Sequence, residues 1–211
     1  MTQALLILAA LGLLWSLARS LRSARKASLA LARARRGYFD ALSPRLTRVM
    51  PSGFARASLT RHGLRFDLQL IPDALAIRKL PCLWLMITLT EAQNRRTETR
   101  IMARASGLEP FSHFADLSHE AALPPGFPPD CTARSTEPTL IPATLAPLMA
   151  DPRAKELTLS PQGLRLVVLA EEAPRSAYLL FREAQFPNLP PDTARIEALM
   201  TTLSQWHESP R

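Results

Sequence analysis

The chain begins MTQALLILAALGLLWSLARSLRSARK, eighteen residues without a charged side chain and then Arg19, Arg22, Arg25 and Lys26. No other stretch so narrows what the chain can become: a cleaved signal, a core helix or an anchor. A secretory signal carries positive charge before its apolar run and a small-residue cleavage site after it. Here the arginines follow the run, and no A-x-A pattern precedes Arg19. A surface helix packed on a core keeps a polar side for water, whereas Leu and Ile here occupy every side. At 1.5 Å per residue the uncharged stretch spans roughly 27 Å, against a hydrocarbon core of about 30 Å. Leu5, Leu6, Ile7, Leu8, Leu11, Leu13, Leu14 and Leu17 together favour insertion by on the order of 2–5 kcal/mol, with Trp15 placed as an interfacial aromatic. The sequence therefore predicts a single-pass transmembrane anchor over residues 1–18. Because arginine stays cytoplasmic, it predicts the N-terminus outside and the remainder inside. Of 26 basic residues only Lys26, Lys79 and Lys155 are lysine, a bias of GC-rich bacterial coding, so the expected membrane is a bacterial inner membrane.

The next segment, residues 19–42, predicts a basic juxtamembrane helix. At 100° per residue Arg19, Arg22, Arg25, Lys26, Arg33 and Arg36 share a sector of roughly 120°, with Leu17, Leu21 and Leu31 opposite. Such a stripe suits lipid headgroups or a protein partner. Gly37 is the expected stop. The net charge of +8 is concentrated here: residues 1–60 hold ten basic side chains and one acid, Asp40, and the rest of the chain is nearly neutral. A domain face built to track phosphates is not indicated, and no nucleic-acid partner is expected.

Beyond a junction around LSPRLTRVMPSG the pattern changes to period two. LRFDLQLI (64–71) alternates as a half-buried strand, and CLWLMITLT (82–90) is apolar on both faces like a central one. TETRIMARA (97–105) is expected to pair with it across AQNRR. Residues 106–130 read as a long connection ending in PPGFPPD. CTARS (131–135) reads as a strand and 138–150 as a short helix bent by Pro142 and Pro147. KELTLS and LRLVVLA flank PQG as a hairpin, AYLLFRE (177–183) adds a strand, and a closing helix starts at Asp192, an N-cap. Ile196, Leu199, Met200, Leu203 and Trp206 give that helix one apolar face. The expected fold class is α+β: a mixed, mainly antiparallel sheet domain over 54–211, with possible sub-units 54–105 and 131–211, closed by a C-terminal amphipathic helix. One echo, SLTRHGLRFDL against TLSPQGLRLVV, puts Gly63 and Gly163 before similar strands and suggests two related halves.

Motifs for chemistry are sparse. SHFADLSHE places His113, Asp116, His119 and Glu120 within nine residues. Two histidines six apart lie about 240° round a helix and cannot chelate one ion from it, though Asp116 faces either at i±3. The glycines are too scattered for a phosphate loop, and Cys82 and Cys131 lack metal-ligand spacing. His62 belongs to a turn, and His207 flanks the last helix's apolar face. No cofactor and no metal are expected. What remains is a membrane-anchored, non-catalytic interaction, scaffold or assembly protein with a protein partner in or at the inner membrane. Its contact surfaces would be the basic helix and the Pro124–Pro129 connection. The alternatives are a membrane-bound enzyme using His113, Asp116 and His119, and anionic-lipid or nucleic-acid binding through the basic helix.

Overall fold

The opening stretch forms a single helix, α1 (Thr2–Arg36), of 35 residues, with no break between its apolar and basic parts. It stops at Gly37, whose N–H donates to the Arg33 carbonyl at 2.9 Å. A Cβ there would come 2.7 Å from Asp40 Oδ2. In this computed structural model residues 2–73, 80–107, 109–175, 186 and 192–208 are described, residues 2 and 4–9 by their backbone alone. The elements that follow are β1 (Leu46–Val49), β2 (Ala55–Arg61), β3 (Leu64–Asp73), β4 (Cys82–Leu89), β5 (Thr99–Ala103), β6 (His119–Glu120), β7 (Cys131–Ser135), α2 (Ala146–Ala150), β8 (Ala154–Ser160), β9 (Gly163–Glu172) and α3 (Thr193–Glu208).

The described strands join in one sheet of nine, in the order β1-β2-β3-β4-β9-β8-β5-β7-β6, and each of these pairings is antiparallel. Period-two alternation decides its inner face. Leu68 of β3 lies opposite Ile87 of β4, which lies opposite Leu166 of β9, then Leu157 of β8 and Ile101 of β5, all essentially without exposure. Over them pack Phe39, Leu42, Leu148 and Met149, with Ile196, Met200 and Leu203 of α3. Asp192 caps α3, accepting the Arg195 N–H at 3.0 Å.

The α+β class is what the pattern led one to expect, but two expectations need correction. The first is the pairing of 82–90 with 97–105. Instead β4 lies between β3 and β9, and β5 between β8 and β7. The connecting loop does not close a hairpin. It crosses the β8–β9 turn, where the Gln93 N–H donates to the Pro161 carbonyl at 2.9 Å and the Gln93 amide meets His207 Nδ1 at 2.6 Å. The expected strand at 177–183 lies outside the described residues.

The second correction is the transmembrane anchor. Among the described residues no helix is long and apolar enough to cross a membrane. Thr2 and Gln3 at one end and Ser16 at the other leave an uninterrupted apolar run of only Ala4–Trp15. That run is roughly 18 Å of helix against about 30 Å of hydrocarbon. Leu5, Leu6, Ile7, Leu8, Leu11, Leu13, Leu14, Trp15 and Leu17 are therefore not assigned as a span. The single-pass topology, the integral membrane partner and the inner-membrane location inferred from it are withdrawn with it.

Candidate functional site

The outer face of the sheet carries the chemistry. Across it runs a row of polar side chains set opposite one another: Ser58, Asp67, Thr88, Arg165, Thr158 and Arg100, on β2, β3, β4, β9, β8 and β5. One half of this face is covered and the other open.

The cover is the segment from Glu109 to Leu117, strapped across β8 and β5. Phe111 packs edge-on against Trp84, ring centroids 5.5 Å apart. Glu109 pairs with Lys155 at 2.9 Å, both side chains buried. The Ser112 hydroxyl donates to Glu156 and accepts from Arg100 at 3.3 Å and from the Phe114 N–H at 3.2 Å. Glu156 has no exposed surface and also accepts from Thr158 and from Arg165, each at 3.0 Å. One Glu156 oxygen holds the strap through Ser112 and the other is satisfied within the sheet, as burying a carboxylate requires. A nucleophilic serine needs a base free to take its proton and an oxyanion-binding pocket; the carboxylate beside Ser112 is already engaged by Thr158 and Arg165.

The histidine segment predicted as a polar site lies on the same strap but points outward. His113 Nδ1 stands 3.4 Å from Asp116 Oδ2, and both side chains are more than three-quarters exposed. His119 and Glu120 are the exposed strand β6, with Glu120 beside Arg134 at 3.4 Å. His113 and Asp116 thus meet each other, and Glu120 meets neither. No group of three potential metal ligands exists among the described residues. In the Pro124–Pro129 connection, Phe127 packs against the core while Pro125, Gly126 and Pro129 are exposed. Arg19, Arg22, Arg25, Lys26, Arg33 and Arg36 are exposed along α1, and Arg19 stacks on Trp15 at 5.5 Å.

The open half is a trough of about 630 Å³ lined by Arg45, Arg48, Arg56, Arg65, Ser58 and Thr60, with Asp67 on its floor. Arg56 gives its Nε to both Asp67 oxygens, at 3.1 and 2.8 Å. Arg65 reaches Glu91 at 3.4 Å. Glu91 is held below the usual carboxylate range, chiefly by the Arg65 backbone N–H; desolvation opposes this, and the Arg65 guanidinium and His207 add to it. Arg45 and Arg48 are exposed and have no acidic partner among the described residues. The lining contains no histidine, cysteine or lysine. Arg56 and Arg65 are engaged by Asp67 and Glu91, so the charge open to an anion is that of Arg45 and Arg48, whose guanidinium groups offer planar, bidentate donors to carboxylate or phosphate.

Sequence reasoning passed over this trough because it counted Arg45, Arg48 and Arg56 as a tail of the basic N-terminal segment. The signal was there in ARASLTR. Ala55, Ala57 and Leu59 alternate with Arg56, Ser58 and Thr60, a strand written in small residues.

Compared with protein families, curated proteins and solved structures, the chain matches none. What the trough does must follow from its own geometry.

Proposed function

We propose that the protein is a non-catalytic interaction or assembly protein whose sheet domain recognises an anionic partner. The observation that carries this reading is the trough itself: arginines and hydroxyls converge on an open concavity whose one carboxylate, Asp67, is engaged by Arg56 and Ser58, and whose lining holds no histidine, cysteine or lysine. A surface that binds without reacting is what a scaffold requires.

The test is isolation of the tagged full chain from cross-linked cells, with companions identified by mass spectrometry. A stoichiometric companion should be recovered and should be lost with Arg45→Glu plus Arg48→Glu, two exposed changes that leave the core untouched. An enzyme reading replaces this one if His113→Ala or His119→Ala abolishes the cellular effect while the double arginine variant retains it. Recovery with lipid vesicles alone, unaffected by the arginine changes, also overturns it.

A further inference from the structure

The trough opens onto a sheet edge. Among the described residues β1 has a single neighbour, and all four of its residues are exposed. The Met50 N–H bonds the Phe54 carbonyl at 2.9 Å, and Arg48 lies opposite Arg56. In an antiparallel ladder, backbone groups point alternately to one neighbour and to the other. Residues 46, 48 and 50 therefore direct theirs at β2, which leaves the N–H and C=O groups of Thr47 and Val49 facing outward. An unpaired row of this kind is a template for one more strand.

Resting on the reading of the trough as an anion-binding surface, we infer that the free edge of β1 takes up an extended acidic segment of a partner protein as an additional strand. Side-chain alternation specifies that segment. A strand paired outside β1 sets every second side chain level with Leu46 and Arg48, about 5 Å away across the ladder. Carboxylates at those positions meet Arg48 and Arg45, with Arg56 one strand further in. The intervening side chains fall on the side of Val49, which is 51% exposed, and are best apolar. The recognised sequence thus alternates acidic and apolar residues over four or five positions. Two other occupants fit less well. A second copy of this chain would bring Arg48 against Arg48 or its neighbours, and like charges across a ladder destabilise it. Single-stranded nucleic acid wants exposed aromatic rings on which bases stack, and the only ring-bearing residue of the lining, Phe66, is buried with its side chain in the core.

The experiment titrates the full chain with a labelled peptide containing Glu-Val-Glu-Val-Glu, followed by fluorescence anisotropy and by amide exchange. Controls are a peptide of the same composition with its glutamates contiguous, the alternating peptide N-methylated on alternate backbone nitrogens, and inorganic phosphate. The alternating peptide should bind best, should weaken with added salt, and should slow exchange of the Thr47 and Val49 amides. Arg45→Glu plus Arg48→Glu should weaken it by at least about tenfold. Thr47→Pro should abolish it without unfolding the domain, because the lost N–H faces outward and proline is tolerated at an edge. Equal binding of the contiguous or N-methylated peptide, or equal competition by phosphate, overturns strand addition while leaving an anion-binding trough. If none of these probes binds but the cellular companion is still lost with the arginine variant, strand addition fails and the function proposed above stands. If the companion is also unaffected, both fail.

Discussion

Lys155 sits in a β-bulge between Ala154 and Glu156 and turns its ammonium into the protein. It donates to the carbonyls of Ala103 and Arg104 at 3.0 and 2.7 Å and to Glu109 at 2.9 Å, so its three donors are all used. Arg104 reaches this position with a left-handed φ of 51°, unusual for a residue with a side chain. Glu109 in turn accepts from the Ser106 N–H and hydroxyl at 2.8 and 2.7 Å. Burial pushes the Glu109 carboxyl up. The bonds from Lys155 and Ser106 together outweigh burial and bring it from 4.5 to about 2. A carboxyl depressed in the folded state contributes stability that is complete above its unfolded value and is lost as pH falls through its folded one. The window here is therefore pH 4.5 down to about 2. Glu109→Gln should cost roughly 3–5 kcal/mol at pH 7 by urea unfolding, since it strands a buried ammonium. It should also flatten the decline of stability across that acid window. Unchanged stability at neutral pH would mean that Lys155 is not held as described.

At the scale of elements, the two Gly-Leu-Arg echoes fall in two hairpins, β2–β3 and β8–β9, yet their glycines do different things. His62 and Gly63 form a two-residue turn with φ of 52° and 75°, the left-handed pair that a tight hairpin wants. Gly163 lies a residue later in its hairpin, paired with Ser160, and a Cβ on it would run into the Leu89 carbonyl on the neighbouring strand. Gly63→Ala has open space and should cost about 1–2 kcal/mol from backbone conformation alone. Gly163→Ala must part β9 from the end of β4, and should cost about 1–3 kcal/mol or more, with a matching loss of thermal midpoint. The reverse order would put the close approach elsewhere. The hairpins were legible because alternation and turn chemistry are local: Leu64, Phe66 and Leu68 mark a face whatever they pack against, and Asp192 marks a helix start. The neighbours of β4 and β5 were not. Strand order depends on where the 90–98 loop is held, and Gln93, which holds it against Pro161 and His207, carries no signal in its own surroundings. The trough was legible only in part, as the strand ARASLTR. Arg48 and Arg56 become one site only through the β1–β2 register.

The whole molecule is a sheet domain with a helix rooted at one end. Contact begins at Leu31, Ala32 and Arg35, which are half-buried. The Arg35 guanidinium lies over the Phe54 ring at 4.9 Å, and Tyr38 packs against Phe39 at 5.2 Å. Burial, with a smaller push from Glu171, raises the Tyr38 hydroxyl to about 12. Phe54 closes the β1–β2 turn, so the root of α1 is fixed to the hairpin that bears the trough. Between residues 10 and 30 the described side chains of the helix are almost all exposed. Leu11, Leu13, Leu14, Trp15, Leu17, Leu21 and Leu29 are each more than half exposed. Helix-favouring Ala, Leu and Arg sustain α1 locally, but its apolar surface gains nothing until something covers it. Two consequences separate. Deleting residues 1–30 should leave the thermal midpoint of the domain unchanged, because no core contact is removed. The same deletion should abolish any concentration-dependent association of the full chain seen by sedimentation, and should lower its binding of a hydrophobic dye. A shortened chain that lost cooperative unfolding would place α1 in the core after all. A full chain that stayed monomeric and bound no dye would mean that its leucines are covered within one molecule. If both expectations hold, α1 and the β1 edge are two contact surfaces joined at Phe54, and a partner bound to one is within reach of the other.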